Sequence, residues 1–144
     1  MIRIRPATLA FAATLALFLA GCADMAYQAT GQQVRLWGSS EVPPNSTAAY
    51  GTGTVNVAQD RTVAITLSVI GMAATAAHVH EGAAGTNGPV ILPLRRIAED
   101  AFVAPDNAML TEAQYAAYKA GNLYINVHSA TYPNGEVRAQ IVGR

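Results

Sequence analysis

From position 34 onward, apolar side chains tend to return at every second place in short runs separated by Gly, Pro, Asn and Asp. A period of two puts successive side chains on opposite faces of an extended backbone. Val63, Ile65, Leu67 and Val69 line one face of the run 62–70. Shorter β-prone runs cover 34–37 and 53–57, with Gln59-Asp60 as the turn before 62–70. Further strands are predicted at 76–80 and, after a glycine-rich loop, at 88–92. The last two, 123–128 and 136–142, are joined by Tyr132-Pro133-Asn134-Gly135, which has strong turn chemistry.

One segment departs from this period. Thr111-Glu112-Ala113-Gln114 has the form of a capping box, and the helix it opens would stop at Gly121. Many short strands with Gly/Pro turns and one helix predict an all-β fold. Its form is an antiparallel β-sandwich, Greek-key and immunoglobulin-like, with one short helix in a late connection.

The N-terminus has a different composition. Arg3 and Arg5 precede a mostly apolar stretch at 7–20 that is too short to span a bilayer, the form of a secretory signal. It ends in Leu19-Ala20-Gly21-Cys22, which resembles the lipobox of bacterial lipoproteins. That resemblance implies a signal peptide over 1–21, lipidation of Cys22 and a tether over 22–33, ahead of one domain over 34–144. Several acyl chains on one cysteine give stable anchoring. Ala23 rather than Asp after Cys22 favours the periplasmic face of the outer membrane.

Processing changes the charge balance. The full chain carries 9 Lys+Arg and 9 Asp+Glu; loss of Arg3 and Arg5 leaves 7 against 9, a net charge of −2. No basic patch calls for nucleic acid. Cys22 is the only cysteine, so no intramolecular disulfide is possible and packing must hold the domain.

Candidate chemistry lies in three histidines, His78, His80 and His128. His78 and His80 are two apart and share a face, with apolar Val79 between them. In the later run Leu123, Ile125 and Val127 oppose Tyr124, Asn126 and His128. In the last run Val137, Ala139 and Ile141 oppose Glu136, Arg138 and Gln140. With the apolar faces inward, all three histidines and Arg138 fall on the outer, solvent side of a sheet. Should the strands neighbour each other, three imidazoles converge as ligands for copper, or for zinc with an open water position. Glu136 is placed to orient a histidine through its other ring nitrogen. Arg138 is placed to bind a small anion near the ion or to pair with Glu41 or Glu136.

Several short signatures then occur in a recognisable order. They are Ser40-Glu41-Val42-Pro43-Pro44, Ala77-His78-Val79-His80-Glu81-Gly82 and Asn87-Gly88-Pro89-Val90, then the stretch from Ala120 to His128, and Pro133-Asn134-Gly135-Glu136-Val137-Arg138. Together they resemble the CHRD domain, the module repeated in chordin and found singly in many bacterial secreted proteins. The resemblance implies a compact β-sandwich and no assigned activity. His-x-His followed by a later histidine and a C-terminal arginine is also similar to the copper half of Cu/Zn superoxide dismutase. That likeness implies copper ligation by His78, His80 and His128, with Arg138 in the place of the arginine that guides substrate. No fourth histidine bridges to a second metal, and no zinc ligands or cysteine pair are present. Three readings stay open: a copper-binding envelope lipoprotein that is not an enzyme, a metal-free module that binds an envelope protein partner, and a copper-only dismutase-like enzyme.

Overall fold

The computed structural model describes residues 31–143. The signal-like stretch, Cys22 and most of the expected tether lie outside the described residues. Within them the chain runs β1 (Gln32–Trp37), β2 (Tyr50–Val57), β3 (Val63–Ile70), β4 (Ala74–Glu81), β5 (Val90–Pro93), β6 (Arg95–Ala98) and β7 (Ala101–Val103). Helix α1 (Glu112–Lys119), β8 (Leu123–Ser129) and β9 (Val137–Ile141) follow. The first strand begins two residues before position 34. No helix among the described residues is long and apolar enough to cross a membrane.

All the strands join one antiparallel sheet in the order β5-β4-β8-β9-β1-β2-β3-β7-β6. β1, β2 and β3 form a meander. The chain then crosses to β4, and the helix-bearing connection crosses again from β7 to β8. The sheet curls until its two halves face each other as the layers of a sandwich. Val55 and Ile65 from one half meet Val79, Leu92, Leu123 and Ile141 from the other around a small apolar space. The edge strands β5 and β6 are consecutive in the chain, separated by Leu94 alone, whose N–H bonds the carbonyl of Ala77. The sheet is therefore nearly closed.

The expected alternation decides which side chains enter the core. Val63 to Val69 face in as predicted, with Ile65, Leu67 and Val69 each at most 4% exposed. Leu36, Ile125, Val127 and Val137 are fully buried. The helix begins as its sequence predicts: Thr111 Oγ1 accepts from Gln114 N–H, and the Gln114 side chain accepts from Thr111 N–H. Gly121 takes the left-handed conformation, φ +73°, that ends the helix.

Two strands carry no signal in the sequence. β6 is exposed at all four positions, so nothing selects alternation there. β7 has three residues, with Phe102 alone fully buried.

Candidate metal centre

The histidines reach one place through strand register. β4 lies beside β8, with His78 opposite Asn126, His80 opposite Tyr124 and Ala76 opposite His128. Val79 faces Ile125 and Leu92 in the core, which sends His78 and His80 to the outer face together. One ring nitrogen from each of His78, His80 and His128 lies within 4.8 Å of the other two. Three such points share a common point about 2.8 Å or less from each. Metal–imidazole bonds are about 2.0–2.1 Å, so small ring rotations bring the set to bonding range.

The protons are arranged for ligation. His80 Nδ1 lies 2.9 Å from the carbonyl oxygen of Gly88, and His128 Nδ1 lies 3.0 Å from that of Pro133. A carbonyl only accepts, so each Nδ1 carries the hydrogen and each Nε2 keeps its lone pair. His80 Nε2 is buried and has no hydrogen-bond partner. Its lone pair has given up water for nothing in the protein, an arrangement that needs a reason. His78 Nδ1 and His128 Nε2 are 3.0 Å apart, and the hydrogen between them occupies a place that a cation can take. Burial, then the neighbouring imidazoles, hold His78 below the ordinary histidine value. Burial holds His128 down as well, outweighing its bond to Pro133. Neutral rings leave few protons for a metal to displace.

Solvent exposure is where the structure corrects the sequence reading. The three histidines are on the outer face, but that face is roofed. His80 is 8% exposed, Arg138 and Asn126 are 2%, and β8 is buried on both sides apart from half-buried His128. The roof is made by the loop 82–88 and the segment 41–47. Arg138 donates to the Thr86 carbonyl at 2.8 Å and to Asn87 Oδ1 at 3.3 Å, while Asn87 Nδ2 donates to the Val42 carbonyl at 2.7 Å. Gln140 Nε2 holds the Gly82 carbonyl at 2.9 Å.

Arg138 and Glu136 also differ from expectation. Arg138 faces no open anion site, because it pins the loop and lays its guanidinium 3.4 Å from the centre of the Tyr124 ring. It makes no ion pair within 4.0 Å, unlike Arg95, which pairs with Asp106 at the surface. Glu136 does not orient a histidine. Its carboxylate accepts from Thr47 Oγ1 at 2.7 Å and its carbonyl accepts from Asn45 Nδ2 at 3.0 Å, which fixes the segment 41–47. Backbone carbonyls orient the histidines in its stead.

Tyr124 and Gly88 are contributors that the sequence reading did not single out. The Tyr124 ring stacks on His80 at 4.7 Å and 8°, with Arg138 on its other side. Its hydroxyl accepts from Gly88 N–H at 3.1 Å. Gly88 thus holds Tyr124 by its N–H and His80 by its carbonyl. A Cβ at position 88 would lie 1.7 Å from the Glu81 carbonyl oxygen, so only glycine fits. The alternating face hinted at Tyr124; Gly88 stands in the Asn87-Gly88-Pro89-Val90 signature, but nothing in that spacing shows that it holds both rings.

Glu41 sits beneath the roof, 5% exposed, with Oε1 unpartnered. Burial raises its carboxyl from 4.5 to about 7, against the opposing pull of Arg138 and the Asn126 side chain. The folded protein keeps this proton up to about pH 7, whereas the unfolded chain releases it near 4.5. The stability that goes with the neutral acid is complete below 4.5 and drains away as pH rises through 7. Glu41→Gln keeps the shape without the charge. Its expected behaviour in denaturant titrations is parity with wild type near about pH 4 and a gain of roughly 2 kcal/mol near about pH 8. Equal stabilities at the higher pH would show that the carboxylate is not buried at a cost.

Comparison with known proteins gives one positive finding. The family model described as the CHRD domain matches residues 32–141, from the first residue of β1 to the last of β9. No curated protein and no solved structure matches the chain.

Proposed function

The chain belongs to the CHRD-domain family, and on that footing we propose that it binds a single copper ion through His78, His80 and His128. In this reading the protein is a lipoprotein held by Cys22 at the periplasmic face of the outer membrane, where it stores, buffers or hands on the ion. The observation that carries the metal reading is the buried, unpartnered Nε2 of His80, in a residue that offers one ring nitrogen within 4.8 Å of one from His78 and one from His128. Copper is favoured over zinc because a nitrogen-only site binds divalent copper more tightly in the Irving–Williams order. Binding is favoured over turnover because the loop 82–88 and Arg138 close the outer face where a substrate anion would have to approach.

Metal analysis of the full chain, purified in detergent after exposure to copper, tests this. One copper per chain is expected in the wild type. His78→Ala and His128→Ala are each expected to bring copper to background, with far-ultraviolet circular dichroism and Tm close to wild type because both rings are only half-buried. Wild-type protein with no copper above background would sink the reading and leave the metal-free module bound to an envelope partner.

A further inference from the structure

We propose that the site is built for a monovalent ion, cuprous copper, in preference to cupric copper or zinc. This rests on the copper-binding reading and specifies the ion that the same three histidines take.

The argument is one of charge and coordination number. The grouped ligands are three neutral imidazoles, with no carboxylate or thiolate among them. The ring nitrogens behind His80 and His128 face the carbonyls of Gly88 and Pro133. A carboxylate in that position would feed negative charge towards a dication; a carbonyl supplies only a dipole. The charged group beside the cluster is a cation, Arg138, on the far side of the Tyr124 ring that stacks against His80, while the Glu41 carboxyl that Arg138 also faces is pushed by burial towards its neutral form. Glu136 gives its carboxylate to Thr47. Repulsion from a fixed positive charge scales with the charge of the incoming ion, so a dication meets twice what a monocation meets. Burial sharpens the difference, since less water is present to screen it. Zinc strongly prefers four ligands, and divalent copper in nitrogen and oxygen sites a square-planar or tetragonal set. Closed-shell cuprous copper accepts three nitrogens without a further donor.

Anaerobic competition titration of the full-length chain in detergent against a chromophoric cuprous chelator tests the idea, with parallel cupric and zinc titrations. One cuprous ion per chain is expected, bound at least about tenfold more tightly than either divalent ion. Arg138→Met, which removes the charge but keeps a long apolar stem over Tyr124, is expected to narrow the cuprous-to-cupric margin about tenfold. A margin below tenfold in wild type overturns the proposal and leaves copper binding intact. Failure to bind copper in either oxidation state overturns the copper reading itself. If Arg138→Met does not fold, the wild-type titrations decide alone.

Discussion

Gly88→Ala is expected to be the most damaging single methyl group that can be added near the site. The new Cβ would stand 1.7 Å from the carbonyl oxygen of Glu81 and 2.7 Å from its carbonyl carbon. Both are backbone atoms of β4 next to His80, so no side-chain rotation relieves the clash. Either the strand end or the loop must move. If the loop moves, Gly88 releases Tyr124 through its N–H and His80 through its carbonyl at once. The loss of stability is expected at about 2–4 kcal/mol, in the range of severe backbone and packing lesions. Freed of its orienting carbonyl, His80 no longer presents Nε2 to the cluster. Copper affinity is expected to fall about 10–100-fold in the protein that remains folded, as on loss of other groups that orient ligands. Denaturant titration reads the first effect and chelator competition the second. Wild-type values in both would mean that the loop packs otherwise than described.

His80→Phe is expected to separate stability from binding. Phenylalanine keeps a flat ring to stack on Tyr124, where His80 now lies at 4.7 Å. It removes a buried nitrogen that has no partner, which relieves an unmet desolvation penalty of roughly 1–3 kcal/mol. It also strips the Gly88 carbonyl of its donor, an opposing loss of similar size. Stability without metal is therefore expected to change by less than about 1 kcal/mol. Copper binding loses a ligand outright, a larger defect than misorienting one, and is expected to weaken more than about 100-fold. Stabilisation by added copper, visible as a rise in Tm in the wild type, should vanish in the variant. A variant that still gains Tm with copper would place the ion elsewhere.

Much of this was legible in the sequence because alternation reports directly on sheet faces. The inward set from Val63 to Val69, the capping box at Thr111 and the shared face of His78 and His80 all follow from spacing alone. Spacing is silent on what lies above an outward face. The roof is built from 41–47 and 82–88, segments that meet through Asn87 and Val42, 45 positions apart. Alternation therefore gave the right side for Arg138 and Asn126 and the wrong degree of exposure. Glu136 was misassigned for the same reason, since Thr47 lies 89 positions away. β6 and β7 escaped notice because exposed or very short strands place no demand on sequence pattern.

The join between β5 and β6 has a consequence for life in a crowd. A sheet that ended in two free edges would offer two rows of unpaired backbone groups to its neighbours. Here each edge strand has only four residues, one carries Pro93 and the other Arg95 and Arg96. If the proposed lipid anchor packed copies side by side, they would meet proline and guanidinium groups where an open sheet would recruit the next chain. Such a domain can be displayed densely without seeding fibres.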